Sequence, residues 1–231
     1  TVTTVSEAVR AGVESLASGR VRTQVIPNVV DDRVFRPGLA EARVPDRILF
    51  VGAIRRVKGF DILVRAIPEI VRHRSGVHVE VVGEPYYAAY RKDAADDMRL
   101  ARELGVADRI HFVGPTTPEG VARAMEAASV LAVPSRRESF SAVTAEALAC
   151  GTPVVATRCG GPEEIIGEGM GEVVSPGSPS ELARALLDVL SRPEAFDPSE
   201  LHADMVRRFG RTTVAGKLEA LYADVLDRAT R

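Results

Sequence analysis

Two glutamates stand at a spacing that could serve a small-molecule site. Glu138 comes just before a run of helix-forming residues, Phe140 to Ala149, and Glu146 lies eight positions later inside that run. The apolar segment from Ser129 to Val133 precedes them and is typical of a buried strand, while Gly151 is placed to end the helix. The stretch therefore predicts a strand, a loop that carries Glu138, and a helix that carries Glu146.

This layout suits a compound that carries phosphate. In an open parallel sheet, ligands bind in the crevice beyond the carboxyl ends of the strands, where the loop with Glu138 would lie. The first amides of the following helix have no internal acceptor and carry partial positive charge, so such a helix start can hold a phosphate. Glu146 could then accept hydrogen bonds from two neighbouring hydroxyls, as a ribose offers. A second interpretation stays open, in which Glu138 complements the helix dipole and Glu146 is a solvated helix residue.

Three cations lie in the loop from Gly52 to Gly59, namely Arg55, Arg56 and Lys58. The loop follows an apolar strand segment, residues 47–51, and leads into a helix. A lysine acts as a point charge, whereas an arginine can grip two oxygens of one phosphate. Cations at the carboxyl end of a strand would suit a diphosphate, although this segment taken alone could also be a solvated basic turn.

The composition argues against several classes of protein. The 231 residues contain 30 Lys and Arg against 32 Asp and Glu, a net charge of −2 that leaves no basic surplus for nucleic acid. No apolar stretch approaches the roughly 20 residues of a membrane span, and no segment has the pattern of a secretory signal. Cys150 and Cys159 lack the spacing of a metal site. The sequence therefore predicts a cytoplasmic protein without a metal, although a disulfide between the two cysteines is not excluded.

Strands and helices alternate along most of the chain. The predicted strands span residues 47–51, 77–82, 109–113, 129–133, 154–156 and 172–175, and the helices span 60–74, 90–104, 118–128, 140–149, 162–166, 181–190, 199–209 and 213–228. This order predicts an α/β fold with a Rossmann-like, mostly parallel sheet and helices on both faces. Ser180 is the predicted cap of the helix that starts at residue 181. The first strand–helix turn has only Gly52 and Gly59 in place of Gly-x-Gly-x-x-Gly, which argues against a dinucleotide dehydrogenase.

The run from Glu138 to Thr157 (ESFSAVTAEALACGTPVVAT), followed by Gly160-Gly161-Pro162-Glu163-Glu164, resembles the signature of family 4 retaining glycosyltransferases. It is similar to the C-terminal, donor-binding half of their GT-B fold. The resemblance implies that a sugar is transferred from a UDP-, GDP- or ADP-sugar to an acceptor hydroxyl, with retention at the anomeric carbon. It implies neither a metal nor a further cofactor.

The same resemblance assigns roles to individual residues. Glu138 and Lys58 are the expected catalytic residues, with Glu138 positioning the sugar and Lys58 meeting the diphosphate, and Glu146 is expected to hold the ribose. Ser139 and Ser141 stand where the family usually has glycines, which adds bulk beside the donor. The full set of expected donor-binding residues is Gly52, Arg55, Lys58, Gly83, Pro115, Ser139, Phe140, Ser141, Ala142, Val143 and Glu146, with the amides of Ala142 and Val143 meeting phosphate.

The resemblance also predicts a domain organisation. Residues 1–40 would end a preceding domain and form the linker, residues 41–195 would bind the donor, and residues 196–231 would form helices that pack back toward the preceding half. The acceptor would then bind through a missing N-terminal domain. Ala53 stands where the family usually has an arginine, and Arg55 is the favoured replacement. An alternative stays open, in which the chain is a regulatory or interaction domain that binds a nucleotide diphosphate without catalysis.

Overall fold

A computed structural model of the protein describes residues 1–18, 20–39, 43–83 and 91–229. The predicted helix start at Tyr90 and the predicted domain boundary after residue 40 lie outside these residues. Within them the chain forms one small unit at its start, followed by a six-stranded sheet with its helices.

The small unit consists of strand β1 (Val2–Thr4), helix α1 (Glu7–Leu16) and strand β2 (Thr23–Val25). The two strands pair in parallel. Ser6 caps α1, because its hydroxyl accepts a hydrogen bond from the amide of Val9 at 3.2 Å.

The larger sheet is built from alternating strands and helices. In chain order these are β3 (Arg47–Val51), α2 (Phe60–His73), β4 (His78–Val82), α3 (Arg91–Glu103), β5 (Ile110–Gly114), α4 (Pro118–Ala127), β6 (Val130–Val133), α5 (Ala142–Ala149), β7 (Val154–Thr157), α6 (Pro162–Ile165), β8 (Gly171–Val174) and α7 (Pro179–Ser191). Two further helices follow, α8 (Pro198–Phe209) and α9 (Arg211–Ala229).

All six strands of the sheet run parallel, in the order β5-β4-β3-β6-β7-β8. The chain fills one half of the sheet outward from β3 and then returns to start the other half at β6. The connections that follow β3 and β6 therefore lead to opposite halves of the sheet, which places a crevice at the carboxyl ends of these two strands. The predicted α/β fold with a Rossmann-like parallel sheet is confirmed.

The central strands have continuous apolar sequences because they are buried in the core. Every residue of β6 and β7 is buried, and the three central residues of β3 are less than 3% exposed. A parallel sheet needs cover on both faces. Helix α2 contacts both α3 and α7, and α4, α6 and α8 each contact α5, so the helices form two layers around the sheet.

Two helix starts differ from the predictions. Helix α5 begins at Ala142 rather than Phe140, because Ser141 adopts a left-handed conformation with φ of 72° that no regular helix contains. Helix α7 is capped by Ser178 rather than Ser180, since the Ser178 hydroxyl accepts from the amide of Glu181 at 3.3 Å. Pro179 then occupies the first helical position, which suits its fixed φ and missing amide.

The last helix packs against the small unit at the start of the chain. Val214 and Leu221 of α9 form an apolar cluster with Ile26, just after β2, and Arg22 forms an ion pair with Asp224 at 3.3 Å. None of the helices that the structure describes combines the length and apolar character needed to cross a bilayer.

Candidate functional site

The crevice between β3 and β6 is formed by two loops that approach each other closely. The first is the loop after β3, residues 52–59, and the second is the loop after β6, residues 134–141. Gly59 has a φ of 69°, and a Cβ on it would lie 1.9 Å from the carbonyl oxygen of Pro134. Only glycine allows the two backbones to meet in this way.

Lys58 and Glu138 meet across this crevice. The Lys58 ammonium lies 2.8 Å from Oε1 of Glu138, and the Ser135 hydroxyl donates to the same oxygen at 2.7 Å. The Glu138 side chain is only 9% exposed, while that of Lys58 is 30% exposed. The two residues predicted to be catalytic are therefore in direct contact, and the cation is the more accessible of the two.

The loop with Glu138 is held on its other side by the segment after β7. The amide of Glu138 donates to the carbonyl oxygen of Cys159 at 3.0 Å. A Cβ on Gly160 would lie 2.3 Å from the Glu138 carbonyl oxygen, and one on Gly161 would lie 2.2 Å from that of Phe140. The Gly160-Gly161 pair of the motif thus serves close backbone packing against this loop.

The start of α5 directly follows the loop of residues 134–141. Within the described residues, neither the amide of Ala142 nor that of Val143 donates to a backbone or side-chain acceptor. The Ser141 hydroxyl instead contacts that of Thr144 at 2.8 Å. The Phe140 ring points away into the core, where it packs edge-to-face on Phe209 with ring centroids 5.3 Å apart.

Glu146 lies in a different environment from Glu138. It lines a cavity of about 550 Å³, together with Val29, Asp31, Val34, Phe35, Val51, Thr116, Pro118, Glu119 and Val121. Burial raises the pKa of the Glu146 carboxyl above its ordinary value of 4.5. In the part of the chain that the structure describes, no group donates a hydrogen bond to this carboxylate, so its acceptor capacity is available to the cavity.

The remaining predicted donor residues are spread around this edge of the sheet. Gly52 directly follows β3, and its carbonyl oxygen would lie 2.3 Å from a Cβ on Gly83, which has a φ of 127°. The Gly83 amide donates to the carbonyl of Gly114 at 3.0 Å, and Pro115 follows as an exposed residue. Arg55 is an exposed residue of the loop after β3.

Ser139 is exposed and lines a separate groove of about 290 Å³ between its own loop and α1. Glu138 lines that groove as well, whereas Glu146 belongs to the cavity of about 550 Å³. Lys58, Arg55 and Pro115 line neither the groove nor the cavity. The structure thus brings Lys58 to Glu138 and places Glu146 on the neighbouring wall of the same sheet edge.

Sequence reasoning missed several residues that shape the site. Residues 29–35 supply one wall of the Glu146 cavity, yet in sequence they read only as a connecting passage. Arg136 binds Asp61 through two hydrogen bonds of 2.7 and 2.8 Å across 75 positions of the chain. No sequence signal marks such a pair. Over the described ranges, no group of three or more His, Cys, Asp or Glu is arranged to hold a metal ion.

The strand order turns back between β3 and β6, and the candidate site lies at that point, as in doubly wound Rossmann-like sheets. The fold matches that of solved GT-B glycosyltransferases. Residues 45–192 match the family described as "Glycosyl transferases group 1". The chain belongs to this family.

Curated relatives agree with this assignment. The chain is 38% identical over 225 residues to D-inositol 3-phosphate glycosyltransferase 2 of Catenulispora acidiphila, a match that covers 91% of this chain and 51% of the relative. It is 37% identical over 223 residues to the D-inositol 3-phosphate glycosyltransferase of Acidothermus cellulolyticus, covering 89% and 48%. The chain thus spans about half the length of these relatives.

Solved structures of similar shape include the sucrose-phosphate synthase of Thermosynechococcus elongatus. The TM-score is 0.86 at 28% identity, covering 98% of this chain and 58% of the synthase. The Anabaena protein HepE in complex with UDP also superposes with a TM-score of 0.86, at 22% identity and covering 96% and 63%. At that identity the likeness to HepE concerns the fold.

Proposed function

We propose that this chain is the donor-binding part of a retaining glycosyltransferase of the family 4 type, equivalent to its C-terminal half. It would bind a nucleotide-diphosphate sugar, from which the sugar is transferred to an acceptor hydroxyl. The observation that carries the proposal is the contact between Lys58 and Glu138 at the crevice between β3 and β6. A cation and a carboxylate at this point suit a ligand with a diphosphate at one end and hydroxyls at the other.

The diphosphate would lie between Lys58 and the start of α5. In the transfer, the bond between the anomeric carbon and the phosphate oxygen breaks, and the leaving diphosphate gains negative charge. Lys58, the free amides of Ala142 and Val143, and Arg55 would stabilise that charge, because preorganised donors act most strongly where charge develops. We propose that these groups suffice without a metal.

The two glutamates would bind the two sugars of the donor. Glu146 would accept hydrogen bonds from the ribose hydroxyls, since its carboxylate faces a cavity large enough for a nucleoside. Glu138 would orient the transferred sugar, and the backbone near Gly83 and Pro115 would contact the base. UDP is the first nucleotide to test among UDP, GDP and ADP, because the similarly folded HepE was solved with UDP and with UDP-glucose.

The acceptor is proposed to bind through another domain, because the chain spans only about half of its curated relatives. Residues 1–40 would connect to that domain, and α9 would pack toward it. We accordingly expect the 231-residue chain to bind donor but to transfer sugar slowly. A cytoplasmic location belongs to the same proposal and accords with the free thiols of Cys150 and Cys159.

Thermal unfolding with added nucleotide tests the binding part of the proposal. A ligand at a hundred times its Kd stabilises a protein by about 2.7 kcal/mol, which is readily measured. We expect a stabilising shift with one of UDP, GDP and ADP that is strongly reduced in Glu146→Ala. Glu219→Ala, an exposed glutamate within α9, is the matched control and should leave the shift unchanged. A shift that is equal in all three proteins would refute the site.

Turnover tests the catalytic part. The chain is mixed with UDP-glucose, GDP-mannose or ADP-glucose and a panel of polyol acceptors, and the nucleoside diphosphate released is quantified. Rapid transfer by the 231-residue chain alone would contradict the expectation that the acceptor binds elsewhere. Retention is checked by determining the anomeric configuration of the product formed by the full-length enzyme, and an inverted product would exclude the retaining class.

A further inference from the structure

We propose that Arg136 and Asp61 form a brace that positions Lys58 against Glu138, so that both are positioning residues of the donor site. The inference rests on the proposed function. These two residues would then do more than stabilise the fold. Their hydrogen bonds join the loop after β3, the loop after β6 and the first turn of α2.

The two side chains form a paired contact, through both terminal nitrogens of Arg136 and both carboxylate oxygens of Asp61. One terminal nitrogen of Arg136 donates to Oδ1 of Asp61 at 2.7 Å, and the other donates to Oδ2 at 2.8 Å. Two parallel bonds fix orientation as well as distance. Asp61 is only 5% exposed, although it lies in the first turn of α2, so the pair is shielded from water on the carboxylate side.

Arg136 also holds the backbone just before Lys58. Its guanidinium donates to the carbonyl oxygen of Arg56 at 2.6 Å, and its amide donates to that of Val57 at 2.7 Å. Lys58 is the next residue along that loop. Arg136 itself lies two positions before Glu138 on the facing loop. Arg136 therefore belongs to one loop and bonds to the facing loop, within two residues of each member of the Lys58–Glu138 pair.

The charge state of the pair is firmly set. Burial by itself favours the neutral form of Asp61, but the hydrogen bonds and charge of Arg136, together with the charges of Arg56 and Arg65, outweigh it and lower the pKa of the carboxyl. Burying such a pair gives little net stability, since desolvation of both charges offsets their attraction. What it supplies is geometry. A long lysine side chain can meet a fixed carboxylate reliably only if the backbone that carries it is held in place.

The test uses a variant that removes the brace without changing net charge, Asp61→Asn with Arg136→Met. Affinity for UDP, or for GDP or ADP if the wild type prefers one of these, is measured by calorimetry. We expect the Kd to rise about tenfold, an effect within the range of lost couplings in a hydrogen-bonded network. The control is Arg47→Met with Glu80→Gln, which removes an ion pair of 3.1 Å at the opposite end of β3. The control should keep the wild-type Kd.

A double-mutant cycle with Lys58→Ala separates positioning from general damage. If the brace acts through Lys58, removing it from the Lys58→Ala protein weakens nucleotide binding no further. Equal losses in both backgrounds would show that the brace acts independently of Lys58 and would overturn the proposal. If the variant with Asp61→Asn and Arg136→Met does not fold, Arg136→Lys is used in its place, because it keeps the charge while losing the bidentate contact.

The outcomes distinguish this inference from the function on which it rests. A wild-type chain that binds none of UDP, GDP and ADP refutes the proposed donor site, and the brace with it. A wild type that binds one of them while the brace variant binds it equally well refutes the brace alone. A tenfold loss in the brace variant that vanishes in the Lys58→Ala background supports both.

Discussion

The two glutamates of the motif are eight positions apart, yet they lie in opposite kinds of surroundings. Glu138 accepts from the Lys58 ammonium at 2.8 Å and the Ser135 hydroxyl at 2.7 Å, in a loop fixed by backbone contacts on both sides. Glu146 lines a cavity walled mostly by apolar side chains, and burial raises the pKa of its carboxyl.

This difference shows how one residue type can serve two purposes at one sheet edge. A carboxylate held by a cation and a hydroxyl keeps its direction, which suits orienting a reacting sugar. A carboxylate in an apolar wall has unused acceptor capacity, and a ligand with hydroxyls can supply the missing donors. The region around Lys58 and Glu138, called the ion-paired region below, is thus organised by the protein's own contacts. In the Glu146 cavity, by contrast, a bound ligand would supply the hydrogen-bond donors.

The largest effect is expected from disturbing the backbone contact that shapes the ion-paired region. Gly59→Ala should lower the free energy of unfolding by about 3 kcal/mol, because the strained φ and the clash with Pro134 add together. Gly105→Ala is a matched control, since Gly105 also has a φ of 69° but no atom within 4 Å of the added Cβ. It should cost about 1 kcal/mol. Urea unfolding of both variants measures the difference, and equal losses would mean that the loop contact is unimportant.

The second effect concerns the cation of the ion-paired region. Lys58→Ala should raise the Kd for the preferred nucleoside diphosphate about a hundredfold, or about 2.7 kcal/mol, since bonds to charged groups are strong and Glu138 is left as an unpaired negative charge. Lys217→Ala is the matched control, because it makes the same substitution at an exposed position on α9, and it should bind the nucleotide with the wild-type Kd. Calorimetry provides the measurement. A normal Kd for Lys58→Ala would place the diphosphate elsewhere.

Replacing each glutamate by glutamine should change the free energy of unfolding by a smaller amount, with opposite signs in the ion-paired region and in the Glu146 cavity. At pH 7, Glu138→Gln should lower the free energy of unfolding by about 1 kcal/mol, because Lys58 loses its partner. Glu146→Gln should raise it by about 1 kcal/mol, because a buried carboxylate without a donor is replaced by a neutral amide. Thermal or urea unfolding of both variants is the measurement. Shifts of the same sign would contradict the assignment of different environments.

The pH dependence of Glu146→Gln follows from the raised pKa. Between the ordinary glutamate pKa of 4.5 and the raised value in the fold, the native protein binds more protons than the unfolded chain at this group. The wild type therefore loses stability through Glu146 as pH rises across that interval. We expect the advantage of Glu146→Gln to be smaller at pH 4 than at pH 7. An advantage of equal size at both values would rule out this origin.

The sequence by itself determined the strand and helix order, and with it the sheet edge that carries the candidate site. Strand-like runs of three to six residues alternate with helical segments, and such local patterns depend on neighbours close in the chain. That is why Lys58, Glu138 and Glu146 could be assigned to loops and helix at the carboxyl ends of strands before any coordinates. The misplaced cap at Ser180 is a local error too, since Pro179 after Ser178 is a recognisable helix start.

Only the tertiary structure decided which of these residues touch. Lys58 and Glu138 are 80 positions apart, and Arg136 and Asp61 are 75 apart, so neither contact leaves a trace in local periodicity. They form because the strand order places β3 beside β6 and because Gly59 lets the two loops meet. The same long-range packing buries Glu146 against residues 29–35 and raises its pKa, which no pattern of neighbours along the chain could have shown.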